Sequence, residues 1–222
     1  MSKIKVITFL SDSHKILFDK YFLPTLPDNA DLDVHHIPQV CESGEYHGDK
    51  WIDAMLMKQD IIIKALESHI GDVIVYCDAD IAFTSPTAIS QMVAELGPLD
   101  LVCQDDGDGN NYCAGCMCMR SSQLLVDFFR SVRSLAVQYP GDQVPMNACL
   151  RDPDCPRISY GFLSHKFWNV CQIYHGRQYI EGPVEIPDQT FLVHANWTVG
   201  IANKMTILDA ALLLFQKNLQ KK

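Results

Sequence analysis

Short apolar runs alternate with amphipathic stretches along the chain, and no other feature restricts the possible fold as much. Apolar runs typical of strands occur at residues 3–10, 31–37, 73–77, 101–103, 112–119 and 191–194. Between them, apolar side chains at helical spacing predict helices, the longest over residues 49–70. Such alternation builds a sheet with helices on its faces, and no period repeats. The sequence therefore predicts a single α/β domain of 222 residues.

Prolines predict where regular structure stops. The first helix is expected from His14 to Leu23, with Pro24 and Pro27 stopping it, because proline inside a helix removes a hydrogen bond and clashes with the preceding turn. Residues 151–188 are rich in proline, glycine and aromatic side chains, so only short strands are predicted there. The final helix is predicted from Asn203 to Leu219.

Charge and hydropathy narrow the range of partners. The formal net charge of −9 argues against nucleic acid or an anionic membrane, since both require a basic surface. A nucleotide ligand stays compatible with this charge, because a bound metal ion supplies local positive charge. No apolar run is long enough to cross a bilayer, and no signal peptide is recognisable, so we expect a cytoplasmic protein without a membrane span.

The nine cysteines are expected to be reduced. Their number is odd, and several of them lie inside apolar runs, where cysteine behaves as a small hydrophobic residue. Cys113 and Cys116 have metal-site spacing, but a structural zinc site needs a second such pair, which the sequence lacks. Zinc binding or redox chemistry at this pair is therefore the weaker interpretation.

An acidic pair follows the apolar run of residues 73–77. Asp78 and Asp80 are two positions apart, and in extended chain such residues point to the same side. Ligands of open α/β sheets bind at the carboxyl ends of strands. Two aspartates at that edge indicate a site for one hard divalent cation, Mg²⁺ or Mn²⁺. The ordinary alternative is a strand end with solvated carboxylates.

Four ordered segments carry a resemblance to a known family. They are Tyr76-Cys-Asp-Ala-Asp80, Tyr112-Cys-Ala-Gly115 with Arg120-Ser-Ser, Asp142-Gln-Val-Pro-Met-Asn147, and His194-Ala-Asn-Trp-Thr-Val-Gly200-Ile-Ala-Asn-Lys204. Together they resemble a GT-A fold glycosyltransferase of the nucleotide-diphospho-sugar transferase family, related to the glycogenin-like retaining enzymes. The resemblance implies a Rossmann-like mixed sheet flanked by helices. It further implies a nucleotide- and metal-binding half in residues 1–110 and an acceptor-side half, with the C-terminal helix, in residues 111–222.

The resemblance implies a metal–diphosphate site. Asp78, Asp80 and His194 would hold the ion, and the nitrogen ligand favours Mn²⁺ over Mg²⁺. Gly200 and Lys204 would bind the donor phosphates at the start of the last helix, where backbone N–H groups attract anions. A core histidine and a surface lysine are the alternatives for His194 and Lys204.

Other residues are expected around the donor. By resemblance, Gln143 would lie beneath the sugar ring and Asp142 would bind a sugar hydroxyl, although Asp142 also suits a helix N-cap. Lys58 would pair with Asp78 or the donor, unless it lies on a solvated helix face. Thr8, Phe9 and Ser11 end the first strand, where this fold usually holds the base and ribose; that expectation comes from position alone.

The acceptor side is less defined. Asp105, Asp106 and Asp108 are candidates for binding hydroxyl groups, or else form a solvated turn. The aromatic residues of the irregular region offer sugar-binding faces, or else fix that region to the core: Trp168, Tyr174 and Tyr179.

The chain departs from the family pattern at two places. Cys113 stands where the family often has asparagine, and a thiol is a weak hydrogen-bonding group, so the usual donor-sugar contact is in question. The spacing from His194 to Gly200 is also longer than in the glycogenin group.

The function expected from these features is metal-dependent transfer of a sugar from a UDP-sugar to a glycan or other hydroxyl acceptor, with retention of configuration. A sugar-phosphate nucleotidyltransferase would need a Gly-rich, Arg-containing loop after the first strand, which is missing. A haloacid dehalogenase-type phosphatase would need Thr where Ala82 stands. An inactive, metal-binding scaffold remains an alternative.

Overall fold

Within the part of the chain that the structure describes, six strands form the central sheet. A computed structural model describes residues 3–40, 50–107, 109–139, 141–170 and 184–220. The strands of this sheet lie in the spatial order β2-β1-β3-β6-β5-β7. Their bounds are β1 Ile4–Leu10, β2 Ala30–His36, β3 Val73–Cys77, β5 Leu101–Asp105, β6 Tyr112–Arg120 and β7 Tyr160–Phe162.

The strands of the central sheet run in both directions. β1 is parallel to both of its neighbours, β2 and β3. β6 is antiparallel to β3 and to β5, while β7 is parallel to β5. The mixed sheet confirms the predicted fold class, an α/β domain with helices on both faces of one sheet.

A second sheet brings the end of the chain back to the acidic pair. Its strands are β4 Ile81–Phe83, β8 Phe167–Asn169 and β9 Leu192–His194, in the order β4-β9-β8. β4 begins directly after Asp80, and Ile81 is paired with His194. This antiparallel pairing places the last residue of β9 beside the acidic pair.

The helices agree with the predicted pattern except near Pro24. The expected stop before Pro24 is wrong: α1 Lys15–Leu17 continues through a π-helical turn, Phe18–Phe22, into α2 Leu23–Thr25. Pro24 follows shortly after the π-helical turn, and the helical run ends at the next residue, Thr25. The other helices are α3 Trp51–Ser68, α4 Ala88–Leu96, α5 Gln123–Leu135, α6 Gln143–Arg151 and α7 Ile201–Leu219.

Apolar side chains fill both faces of the central sheet. On one face α4 packs against alternate residues of β3, such as Val75. On the other face α3 and α5 cover residues such as Ile74. Cys116 and Cys118 are fully buried in this core, and the cysteines of the described residues are free thiols.

No helix in the described ranges combines the length and the apolar character needed to cross a membrane.

Candidate active site

The acidic pair lies at the carboxyl end of β3, where backbone hydrogen bonds hold both residues. The Asp78 N–H donates to the Gly115 carbonyl at 2.8 Å, which ties it to β6. The Asp80 carbonyl accepts a 3.0 Å bond from the Ala195 N–H, which ties it to the chain after β9. Both sheets therefore position the pair.

His194 completes a three-residue cluster. Its Nε2 atom lies 3.3 Å from Asp80 Oδ1 and 3.8 Å from Asp78 Oδ2. One ligand atom from each residue falls within 4.8 Å of the others. Gly115 makes this approach possible, since a Cβ there would lie 2.5 Å from His194 Cε1 and would also collide with the Asp78 carboxylate.

The cluster fits a divalent cation in its chemistry and its geometry. Two carboxylate oxygens and one imidazole nitrogen form a mixed donor set that suits Mn²⁺. Asp80 and His194 are almost fully buried, whereas the Asp78 side chain is 27% exposed and faces a cavity. The cluster thus has one open side through which a ligand reaches it.

Lys204 lies against the second aspartate. Its Nζ atom donates to Asp80 Oδ2 and, at 3.1 Å, to the Ala195 carbonyl. Burial by itself would raise the pKa of Asp80, but Lys204 and then His194 outweigh it and hold that pKa well below its usual range. Asp80 is consequently ionised, as a metal ligand must be.

Lys58 lies against the first aspartate and is buried. Its ammonium contacts Asp78 Oδ1 at 2.9 Å and Asp142 Oδ2 at 2.6 Å, and its side chain is only 2% exposed. The solvated-face alternative for Lys58 is therefore wrong. Burial opposes its charge, but Asp142 and Asp78 together raise the pKa of Lys58.

The pKa values of the two aspartates shift in opposite directions. Burial raises the pKa of Asp78, and Lys58 offsets this effect only in part because Asp80 opposes it. The Tyr76 hydroxyl also donates to Asp78 Oδ1 at 2.6 Å. Asp78 is therefore the more easily protonated member of the pair.

The start of α6 faces the same cavity. Asp142 occupies the N-cap position, but its side chain makes no capping bond and binds Lys58 instead. The Gln143 Nε2 atom donates to Asp106 Oδ2 at 2.8 Å. Asn147 fixes the helix to β6, because its side-chain amide bonds both backbone groups of Tyr112 at 2.8–2.9 Å.

Asp106 joins three parts of the site. In addition to Gln143, its carboxylate accepts bonds from the Asn196 amide at 3.0 Å and the Trp197 indole at 2.7–2.8 Å. Trp197 has a φ of 52°, a left-handed conformation that is rare for a bulky residue. The sequence indicated Asp106 only as a possible hydroxyl ligand and Trp197 only as part of the segment that begins at His194, and no spacing signals the contact between them.

The acidic pair and His194 line a cavity of about 220 Å³. Phe9, Ser11, Gly200 and Lys204 line it as well. Thr8 does not line the cavity: it is fully buried, and its hydroxyl has no hydrogen-bond partner among the described residues.

His14 is a lining residue that the sequence did not signal. Burial, reinforced by Lys204 and opposed by Asp80, lowers the pKa of His14 to about 4, so the ring is neutral near pH 7. The 3₁₀ turn Asp12–His14 after β1 brings it to the cavity. A lone histidine in a turn carries no motif that would have identified it.

The acceptor candidates have different surroundings. The Trp168 ring is 1% exposed, so it is a core residue without a face for a sugar. The Asp105 carboxylate accepts the backbone N–H groups of Gly107 and Gly109 and thereby forms the turn after β5. Tyr174, Tyr179 and Asp108 lie outside the described residues.

Comparison with known proteins agrees with this geometry. The profile of a family described as nucleotide-diphospho-sugar transferase matches residues 32–208, most of the chain. The chain belongs to the nucleotide-diphospho-sugar transferase family. The description of this family names transferases that act on nucleotide-diphospho-sugars. A search of curated protein sequences finds no significant match.

Solved glycosyltransferases share the fold of this nucleotide-diphospho-sugar transferase at low sequence identity. A glycosyltransferase involved in glycosylation of the major capsid of PBCV-1 has a TM-score of 0.60 at 11% identity, over 95% of this chain and 99% of its own. The galactosyltransferase LgtC, solved with donor and acceptor sugar analogues, has a TM-score of 0.55 at 12% identity, over 96% of both chains.

The glycosyltransferase GlyE of Streptococcus pneumoniae TIGR4 has a TM-score of 0.58 at 14% identity and matches all of this chain. The present chain spans 64% of the GlyE chain. At these identities the three structures establish the GT-A fold and leave the substrates to be argued from the site.

Proposed function

We propose that this transferase requires a divalent metal ion and moves a sugar from a UDP-linked donor to a hydroxyl of a glycan or another acceptor, with retention of configuration. One observation carries the proposal: the ligand atoms of Asp78, Asp80 and His194 converge within 4.8 Å beside the cavity. Family membership supports a nucleotide-sugar donor. The cluster supports a metal ion that assists departure of the nucleoside diphosphate from the donor sugar.

Asp78, Asp80 and His194 would hold the ion, with Mn²⁺ preferred over Mg²⁺ because of the imidazole ligand. When bound, the ion would supply Lewis-acid stabilisation of the negative charge on the leaving diphosphate. The depressed pKa of Asp80 supports this role, since it keeps one ligand ionised over a wide pH range.

Gly200 and Lys204 are proposed to bind the donor phosphates. Gly200 precedes α7 with a φ of 85°, so glycine suits this position, and the first N–H groups of the helix have no partners within it. The Lys204 ammonium bonds Asp80 and therefore lies where a phosphate bound to the cluster would approach. Phe9 and Ser11 are proposed to contact the base and ribose, with His14 as a neutral neighbour.

Asp142 and Gln143 are proposed to act on the donor sugar. Both line the cavity at the start of α6. The Gln143 Nε2 atom donates one N–H to Asp106, which leaves the second N–H and Oε1 for orienting the sugar, with Oε1 proposed to polarise the reacting carbon. Asp142 would accept a sugar hydroxyl while Lys58 balances its charge.

Retention is supported by the state of the carboxylates. Inversion needs a base that takes the proton of the acceptor hydroxyl. Asp78, Asp80 and Asp142 are the carboxylates of the described lining, and each is paired with a lysine. With each of these carboxylates paired, a departing phosphate oxygen would take that proton on the face from which the donor leaves, which gives retention.

Two expectations from the sequence stay predictions: the cytoplasmic location and the division into halves at residues 110 and 111. Both proposed metal carboxylates fall in the first half and His194 falls in the second.

The test is a thermal-shift series with UDP-, GDP- and CMP-sugars, each with and without Mn²⁺. A donor at a hundred times its Kd stabilises the folded state by about 2.7 kcal/mol, which for a domain of this size raises Tm by roughly 5–11 °C. We expect such a shift with a UDP-sugar and only when Mn²⁺ is present. The Asp80→Asn variant should lose both the shift and Mn²⁺-dependent donor hydrolysis.

Asp28→Asn is the matched control. Asp28 is exposed and lies before the amino end of β2, whereas Asp80 follows the carboxyl end of β3, which points the same way. Unchanged turnover in Asp80→Asn would refute the metal assignment. The anomeric configuration of the product, read by NMR, decides between retention and inversion.

A further inference from the structure

Gln104 is a fully buried polar residue near the end of β5. The register between β5 and β6 shifts between Cys103 and Asp105, so Gln104 lies at an irregularity of the ladder. Such irregularities re-aim side chains and are frequent beside active sites. Gln104 has no place in the family resemblance, and its surroundings define a role for it.

The hydrogen bonds of Gln104 determine the orientation of its amide. Its Nε2 atom lies 3.2 Å from the Phe167 carbonyl and 3.3 Å from the Trp168 carbonyl. Carbonyl oxygens only accept, so the amide nitrogen must face them and the amide oxygen must face the other way. That oxygen, Oε1, lies 2.8 Å from His194 Nδ1.

This orientation in turn determines which ring nitrogen of His194 carries a proton. Because Oε1 of Gln104 only accepts, Nδ1 must be the N–H donor of that 2.8 Å bond. In the neutral ring the lone pair then lies on Nε2, the atom 3.3 Å from Asp80 Oδ1. The nitrogen that faces the two carboxylates is thus the one available to a metal ion.

We propose that Gln104 is a positioning residue that holds His194 in the Nδ1–H tautomer with Nε2 directed at the metal site. A metal-bound histidine usually donates its other N–H to such a partner, and loss of the partner weakens metal binding by about 10- to 100-fold. The proposal rests on the proposed function only in that His194 is taken as a metal ligand.

Two simpler explanations are weaker. The Cys113 thiol lies 3.9 Å from His194 Nδ1, but sulfur is a poor acceptor and the distance is long. Gln104 also ties β5 to the backbone of β8, which would by itself account for its burial. If Gln104 only tied β5 to β8, the tautomer of His194 would not depend on it. Variants that lose the tie would then lose stability to a similar extent, whether or not they still accept from His194.

Two substitutions separate positioning from structural support. Gln104→Met keeps the length of the side chain but has no oxygen to accept from Nδ1–H. Gln104→Glu keeps an accepting oxygen, whether ionised or neutral, and loses at least one of the two bonds to the β8 carbonyls. A structural role therefore predicts that both variants bind Mn²⁺ more weakly. A positioning role predicts that only Gln104→Met changes the tautomer of His194 and weakens Mn²⁺ binding.

The first measurement is the tautomer, by long-range proton–nitrogen NMR on protein with ¹⁵N-labelled histidine. The His194→Gln variant assigns the signal, and titration in the same spectra finds a pH at which the ring is neutral. We expect Nδ1–H in the wild type and in Gln104→Glu, and a mixture or Nε2–H in Gln104→Met. An Nε2–H ring in the wild type overturns the proposal, even if Gln104→Met does not fold.

The second measurement is the affinity for Mn²⁺ alone, from the electron paramagnetic resonance of the free ion. We expect a Kd about 10- to 100-fold higher in Gln104→Met and within a few-fold of wild type in Gln104→Glu. Equal losses in both variants, or none in Gln104→Met, overturn the proposal. If the wild type does not bind Mn²⁺, the proposed function fails, while the NMR spectrum still decides whether Gln104 sets the tautomer.

Discussion

Replacing Lys58 by methionine tests the charge balance of the site. The substitution keeps the aliphatic stem and removes the ammonium that lies 2.9 Å from Asp78 Oδ1 and 2.6 Å from Asp142 Oδ2. Breaking a buried ion pair usually costs about 3–5 kcal/mol, because the remaining charge stays in the interior without a partner. The Asp78 side chain is 27% exposed and keeps the hydrogen bond from Tyr76. We therefore expect Lys58→Met to lower the free energy of unfolding by about 3 kcal/mol, the lower end of that range.

The pH dependence of this loss has a definite sign. The pKa of Lys58 is raised in the folded state, so its contribution is fully present below its unfolded value of about 10.4 and does not change between pH 5 and pH 8. Without that ammonium, the pKa of Asp78, already raised by burial, rises further. The variant therefore takes up protons as the pH falls, and its deficit should shrink from pH 8 to pH 5.

The assay is urea unfolding of wild type and Lys58→Met at both pH values, provided that unfolding is reversible. Lys64→Met is the control, since Lys64 is an exposed residue of the same helix and should change stability by less than about 0.5 kcal/mol. The double variant Lys58→Met with Asp142→Asn should recover part of the loss. A deficit below about 1 kcal/mol at pH 8, or one that is independent of pH, would refute the reasoning.

Two further substitutions test other parts of the site. Gly115→Ala places a Cβ 2.5 Å from His194 Cε1 and against the Asp78 carboxylate. The Kd for Mn²⁺, measured by calorimetry, should therefore rise by about tenfold or more. An unchanged Kd would show that these side chains are not held at the cluster. Asn147→Ala removes the hydrogen bonds that fix α6 to the backbone of Tyr112. It should lower the free energy of unfolding in urea titrations by about 2–3 kcal/mol. A loss below about 1 kcal/mol would mean that α6 is held mainly by its apolar contacts.

Periodicity and strand ends predicted the fold and the centre of the site. Alternating strands and helices follow from local patterns, and the pair Asp78 and Asp80 lies at a strand end as expected. The π-helical turn before Pro24 was not foreseeable, because it depends on how that segment packs.

Residues brought together by the packing of one sheet on the other could not be predicted. Gln104 directly follows an apolar run and Asp106 belongs to an acidic turn, yet both lie within hydrogen-bond distance of groups about ninety positions away along the chain. His14 carries no motif, and Trp197 was noted only as part of the last of the four segments that resemble the family. Thr8 shows the reverse error, since the end of a strand was correctly located but the Thr8 side chain is fully buried and does not line the cavity.

The pairing of β4 with β9 has a consequence for synthesis of the chain. Asp78 and Asp80 leave the ribosome long before His194 and Lys204, the two groups that lower the pKa of Asp80. Until β9 docks, the nascent protein presents an acidic pair with Lys58 as its nearest cation. The proposed cation site is therefore incomplete until β9 pairs with β4, so Mn²⁺ affinity would report the docking of β9 rather than the formation of β3.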